Sequence, residues 1–203
     1  MKNVIKIRNE EITIPNEYRL MDRLSTDPEE MIVYGKQNNH SFINIMIQPF
    51  NVEEALPSNV DDLIEGTRNY LNNKQGLIEA KNGTTKNNIE YVYTIVKDLD
   101  NTQHEGAMYF LTIEFKYFDY VIDIQGYFQE IGTTGIRDSI VYAECLKNKT
   151  ISGLEDWSED PYDKNYKNGI LMNISEKEEY DEMFKEHPLT ECREFIKYII
   201  NSN

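Results

Sequence analysis

This chain has little positive charge, little cysteine and little histidine, and each shortage removes a class of function. Lys and Arg together number 21 against 36 Asp and Glu, a formal net charge of −15. Nucleic-acid binders draw most of their affinity from phosphate neutralisation by Lys and Arg, so no nucleic-acid partner is expected. An anionic membrane surface is disfavoured for the same reason. The two cysteines, Cys145 and Cys192, are too few for a disulfide framework. Both fall in helical patterns and are expected to be reduced core thiols. The histidines, His40, His104 and His187, are isolated, with none at metal-ligand spacing. No apolar run approaches the length of a membrane span. The opening residues MKNVIKIRNEEITI carry Lys2, Lys6, Arg8, Glu10 and Glu11 and lack the apolar core and cleavage site of a secretory signal. A cytoplasmic location is expected, and the Asn-x-Ser/Thr triplets at Asn82, Asn148 and Asn173 are then without consequence.

What is present suits a folded domain. The 203 residues are 39% hydrophobic with a mean hydropathy of −0.63, enough apolar material for a core with a polar surface. The organising stretch is Glu90 to Glu130. Tyr109, Leu111, Ile113, Phe115 and Tyr117 alternate with Thr112, Glu114 and Lys116, the period of a strand buried on one face. Tyr120, Ile122, Ile124 and Phe128 repeat it against Asp123 and Gln125. Phe118-Asp119 leaves room only for a tight turn, so the two strands pair antiparallel. Upstream, Ile89 to Lys97 is β-branched and aromatic on both faces, which suits a central strand. A hairpin tip, mobile and carrying His104, is expected between Asp98 and Gly106.

Along the chain, residues 4–14 read as a short strand ending at Pro15. Met31–Lys36 and Phe42–Gln48 read as a hairpin with His40 at its tip. Asn59–Leu71 reads as a helix capped by Ser58 or Asn59, with Leu63, Ile64, Thr67 and Leu71 laid across the sheet. Leu77–Ala80 is a strand turned by Asn82-Gly83. After the meander, Ile136, Ile140 and Ala143, with Leu146 or Lys147, mark a second amphipathic helix. Residues 150–169 form an acidic, irregular connector. Ser175-Glu-Lys-Glu178 reads as a capping box, and Pro188 opens a last helix with Leu189, Cys192, Phe195, Ile196 and Ile199 on one stripe. The expected fold class is α+β: an antiparallel meander covered by helices, with a C-terminal helical appendage. The expected division is an α+β sheet domain over residues 1–149, and an acidic connector with C-terminal helices over 150–203 packed on it.

One turn offers an anion site. In Gly132-Thr133-Thr134-Gly135-Ile136-Arg137-Asp138 a strand feeds a Gly-containing bend that opens a helix, where backbone N–H groups can hold an anion with help from Arg137. The plainer reading is that Thr133 or Thr134 caps the helix and the glycines fit the bend. The spacing is neither GxGxxG nor a P-loop. A calcium loop starting at Asp163 fails, because Lys167 takes its fifth position, Asn168 its glycine and Ile174 its bidentate glutamate. No metal and no cofactor is expected. Cys192 lies on an apolar face and Cys145 has only Lys147 or Lys149 near it in sequence to lower its pKa. Carboxylates are abundant and no pair stands out, so no catalytic residue is assigned. Trp157, Tyr162, Tyr180 and Phe184, set among acidic residues, are the candidate partner-binding aromatics.

The order of strands, helix, long meander and helix, together with Ile12-Thr-Ile-Pro15 leading into a hairpin, resembles the PsbP/DcrB-like family. That fold is shared by an extrinsic photosystem II subunit, a eukaryotic Ran-release factor and bacterial DcrB-like proteins. The resemblance covers about residues 4–147. The G-T-T-G-I-R-D segment and the Y-D-E-M-F…H-P-L tail are similar to proteins of Gram-positive bacteria. What the resemblance implies is binding, adaptor or chaperone-like work rather than chemistry. The function expected is a non-catalytic protein-binding module, an adaptor, chaperone-like or immunity protein for a basic partner, as monomer or homodimer. The alternative is a small-molecule or anion-binding protein, an enzyme among the options, centred on residues 132–138.

Overall fold

In the computed structural model, residues 3–99 and 106–203 are described; the tip expected to carry His104 lies outside them. Two strands, β1 (Asn3–Ile7) and β2 (Glu10–Ile14), form a small hairpin. The single strand expected over 4–14 is thus bent at Arg8, whose φ of 52° places it in the left-handed region. The main sheet is antiparallel and seven-stranded. Its members are β3 (Arg19–Met21), β4 (Ile32–Gln37), β5 (Ser41–Asn51), β6 (Gln75–Thr84), β7 (Glu90–Asp98), β8 (Met108–Lys116) and β9 (Tyr120–Glu130). They lie in the order β3-β4-β5-β9-β8-β7-β6. The meander β9-β8-β7 takes three adjacent interior positions, with β9 the middle strand of the seven and β7 next to the edge strand β6.

One face of this sheet is the main core. Ile43, Ile45 and Ile47 of β5, Leu111, Ile113 and Phe115 of β8, and Ile122, Ile124 and Phe128 of β9 all point into it. The β1–β2 hairpin covers one part through Ile5, Ile7, Ile12 and Ile14. The C-terminal helix α3 (Pro188–Ser202) covers another through Leu189, Cys192, Phe195, Ile196 and Ile199. Burying each such side chain is worth about 1.5–3 kcal/mol, so α3 belongs to the principal core. Thr112, Glu114 and Lys116 are each more exposed than Leu111, Ile113 and Phe115, in the expected sense.

The opposite face is only partly covered. Helix α1 (Val60–Tyr70) sets Leu63 and Ile64 on Leu77, Ala80, Val92 and Val96. Its N-cap is Asn59, whose side chain accepts from the N–H of Asp61 and Asp62 at 2.9 and 3.1 Å. β6 runs straight through Asn82-Gly83. The turn falls instead at residues 85–89, where Thr85 Oγ1 accepts from Asn87 and Ile89 N–H.

Helix α2 (Ile136–Lys147) differs from its expected register. It buries Arg137, Val141 and Cys145, while Ile136, Ile140 and Leu146 are exposed. Val141 and Cys145 pack with Ile151, Trp157, Ile174, Tyr180 and Phe184 as a separate cluster. The segment expected as a capped short helix is two 3₁₀ turns, 174–176 and 178–183. Its capping box lies two residues earlier than expected, at Asn173 and Glu176: Glu176 Oε2 accepts from Asn173 N–H at 2.8 Å. The connector carries a two-residue ladder, β10 (Ser158–Glu159) with β11 (Met172–Asn173). It then lies along the outer edge of β6, where Ile170 N–H donates to Gln75 O at 2.9 Å. Gly76 permits this approach, since a Cβ there would sit 1.8 Å from Ile170 O. Among the described residues no helix is long and apolar enough to cross a membrane.

Candidate functional site

The turn singled out in the sequence opens onto a cavity of about 350 Å³. Its walls come from the 132–138 turn, the segment 182–187 and the β4–β5 hairpin tip at His40. Apolar surface is supplied by Ile136, Met183 and Phe184, polar surface by Glu130, Glu182 and Glu186 together with the cations of Arg137 and Lys185.

The turn itself is built on two glycines in the left-handed region, Gly132 at φ 73° and Gly135 at φ 72°. Gly135 is the N-cap of α2 and no side chain caps the helix, so neither Thr133 nor Thr134 has the capping role. The Gly135 N–H donates to Glu130 Oε1 at 2.8 Å. The other oxygen of Glu130 accepts from Ala107 N–H at 3.2 Å. The bend thus holds an anion already, the protein's own carboxylate.

Arg137 faces inward and is 1% exposed. Its Nε donates to Ser175 O at 2.7 Å, Nη1 to Thr190 Oγ1 at 2.9 Å, and Nη2 to Asp181 Oδ1 at 2.9 Å and Lys177 O at 3.2 Å. It is a clasp joining α2, the 3₁₀ turns and α3. Asp181 also accepts from Arg193 Nη1 at 3.1 Å, and Arg193 Nε reaches Glu79 Oε2 at 3.1 Å. Beside them Lys97 Nζ lies 2.8 Å from Glu176 Oε1, which also accepts from Tyr109 Oη at 2.8 Å. Three cations and three carboxylates are thus paired across six elements: α2, α3, β6, β7 and the two 3₁₀ turns. Buried charges persist only when paired in this way.

Of the four candidate partner-binding aromatics, three anchor the connector. Trp157 packs edge-on against Tyr142, with ring centroids 5.1 Å apart. Tyr162 Oη donates to Ala80 O at 3.2 Å and accepts from Ala80 N–H. Tyr180 joins the α2 cluster and its hydroxyl lies 3.9 Å from Cys145 Sγ. Phe184 alone reaches the cavity, with the Arg137 guanidinium 5.8 Å from its ring centroid. Ile136 and Ile140, marked in the sequence as one apolar stripe, are 37% and 47% exposed instead; Ile136 lines the cavity together with Met183, 56% exposed. The available signal was the i, i+4, i+8 spacing of Arg137, Val141 and Cys145. An arginine heading a buried stripe hides it.

His187 lies at the floor. Its Nδ1 accepts from Leu189 N–H at 3.2 Å, capping α3 as its place before Pro188 suggests. Its Nε2 lies 3.9 Å from Glu130 Oε1 and its ring meets Tyr109 edge-on at 5.8 Å. Burial, then the positive charges of Arg137, Lys97 and Arg193, hold its pKa well below the usual histidine value. It is therefore neutral near pH 7, with the proton on Nε2 because Nδ1 is an acceptor. Both cysteines are buried and unpaired with each other; burial pushes the Cys192 thiol far up. Neither lines this cavity. Among the described residues no group of three or more His, Cys, Asp or Glu is placed to hold a metal ion.

No family model matches the chain, and no curated protein matches it. Several solved structures are similar in fold. The Ran-binding protein Mog1p of Saccharomyces cerevisiae has a TM-score of 0.44 at 10% identity, over 73% of this chain and 84% of that one. A mutant of the protein Mog1 has a TM-score of 0.46 at 8% identity, over 100% and 97%. PA94 of Pseudomonas aeruginosa, a protein of unknown function described as a putative regulator, has a TM-score of 0.39 at 9% identity, over 75% and 96%. At these scores the likenesses carry no argument about this chain. They do correct the family expectation, since the structures found are Mog1 and PA94, not PsbP or DcrB. The similarity to Gram-positive sequences likewise finds no matching family or curated protein.

Proposed function

We propose that the chain is a non-catalytic protein-binding module. Its docking surface is the cleft between the start of α2 and segment 182–187, and its partner is a basic segment with a large apolar anchor. The observation that carries this is the cleft's composition. Ile136 and Met183 are exposed at a 350 Å³ cavity, with Ile140 exposed one turn along α2. Glu182 and Glu186 stand at its rim with side chains 91% and 56% exposed, engaged in surface pairs with Lys185 at 3.2 Å and His40 at 3.8 Å that a partner's cations can replace. An apolar anchor in a pocket with a charged rim is the usual anatomy of a hot spot. The net charge of −15 adds long-range attraction for a basic partner.

A random peptide library displayed on phage tests this, selected on the wild-type protein and counter-selected on a Met183→Asp/Glu186→Lys variant. Enriched sequences should carry a large apolar residue flanked by Lys or Arg. Their affinity should fall as salt rises to about 0.15 M, where the screening length is about 8 Å. Enrichment that survives in the variant, or peptides without basic residues, would overturn the reading. The cavity volume also suits a small ligand. A compound that shifts the amide signals of Ile136 and Met183 while no peptide does would favour that second reading.

A further inference from the structure

The second face of the sheet carries two buried carboxyls side by side. Glu114 of β8 and Asp123 of β9 are partners in the antiparallel register, so both side chains rise from the same face. They are 6% and 2% exposed. Gln48, opposite Asp123 on β5, hydrogen-bonds it, and Gln125 Nε2 donates to Asp123 Oδ2 at 2.9 Å. Glu114 is engaged elsewhere: its Oε2 accepts from Leu56 N–H at 2.8 Å. Leu56 belongs to the strap 52–58 that leads from β5 to α1. Lys116 holds the same strap, donating to Leu56 O and, at 2.8 Å, to Ser58 Oγ. Leu56 in turn forms one wall of a cavity of about 370 Å³ beside α1, lined also by Val96, Phe110 and Tyr127.

We infer that the strap is a proton-dependent latch: a proton shared by Glu114 and Asp123 keeps it closed over this cavity, and loss of that proton releases it. Two carboxylates in one buried site cannot both be charged without a large cost. Glu114 can relieve the repulsion by turning to solvent, and doing so gives up the Leu56 N–H. Burial, then the charge of Glu114, push Asp123 up to about 7 against the bonds from Gln125 and Gln48. Burial raises Glu114 too, against the Leu56 N–H and Lys116. The other groups facing the pair offset only part of this: Lys116 favours the charged form of Glu114, yet burial outweighs it. Lys116 of β8 is engaged by the strap, β5 offers the neutral Gln48, and burial and Asp123 raise the Tyr127 hydroxyl of β9. The strap's own acids, Glu53 and Glu54, are exposed in a single 3₁₀ turn.

The sign follows from linkage. Burial and the charge of Glu114 raise Asp123 to about 7 when the strap is closed; opening carries the Glu114 carboxylate away and lowers that value, so the closed form binds more protons than the open one. Closure is then favoured at about pH 5 and weakens as pH rises through about 7.

Hydrogen exchange of residues 52–58 at pH 5 and pH 8, corrected for the intrinsic rate, decides the matter. Protection should fall by about tenfold or more, the factor one pKa unit carries. It should be equal at both pH values in Asp123→Asn and in Glu114→Gln, whose amide oxygen still accepts the Leu56 N–H. Equal protection in the wild type, or a pH effect that persists in both variants, would overturn the latch. If neither variant folds, carbon NMR titration of the two carboxyls in the wild type settles it, and midpoints near 4 for both would end the idea.

Discussion

Arg137 shows how a residue chosen for function can be serving structure. Its guanidinium is the one group touching Ser175, Lys177, Asp181 and Thr190 together. Removing it takes the guanidinium away from the Ser175 carbonyl and leaves Asp181 with Thr190 Oγ1 and a single cation, Arg193. Arg137→Ala is expected to destabilise by about 3–5 kcal/mol, read as a lower urea midpoint at unchanged slope. Arg137→Lys should recover only part of this, because an ammonium cannot span the same fork. An alanine variant as stable as the wild type would show that the clasp is dispensable. His187 makes a pH prediction at the same scale. Its pKa in the fold is depressed by burial and by Arg137, below an unfolded value of about 6.5. Protons therefore bind the unfolded chain first, so the stability this histidine contributes is full above about pH 6.5 and is lost as pH falls towards the folded pKa. Thermal unfolding between pH 7 and 5 should show a smaller loss in His187→Asn, whose side-chain oxygen can still cap α3, than in the wild type.

At the scale of elements, periodicity was a good guide wherever one face met the core and solvent took the other. The strands of the meander, the helix capped by Asn59 and the stripe of α3 were all legible for that reason. The misreadings share a cause. β6 keeps its ladder through Asn82-Gly83 because β7 continues to pair with it, and tertiary pairing overrides a local turn signal. α2 turns its isoleucines outward because the charged clasp on its other side sets its rotation. The capping box at Ser175 yields to Asn173 and Glu176 because Glu176 is tied into Lys97 and Tyr109 on the sheet. No sequence pattern announces a bond between residues so far apart. The α3 stripe carries its own test. Leu189, Cys192, Phe195, Ile196 and Ile199 fill the core face of the sheet, so a chain ending at residue 149 should bind a hydrophobic dye and aggregate. A truncated chain that stays soluble and unfolds cooperatively would show that 1–149 stands alone.

For the molecule as a whole, the acidic composition was legible as a preference among partners, and the α+β class as a consequence of strand and helix periods. The candidate site was half legible. The turn at 132–138 borders the cavity and gives it Thr133, Ile136 and Arg137, while Met183, Phe184 and the glutamates of 182–186 come from a segment that the turn does not announce. Exposure of apolar side chains is decided by packing in three dimensions, which a stripe of isoleucines on a helical wheel does not report. The position of α3 has a consequence in time. Every strand of the main sheet is synthesised before the helix that covers it. At roughly 5–20 residues per second, the face bearing Ile45, Leu111 and Ile124 waits several seconds on the ribosome for its lid. During that interval the nascent chain is a substrate for whatever chaperone meets it first.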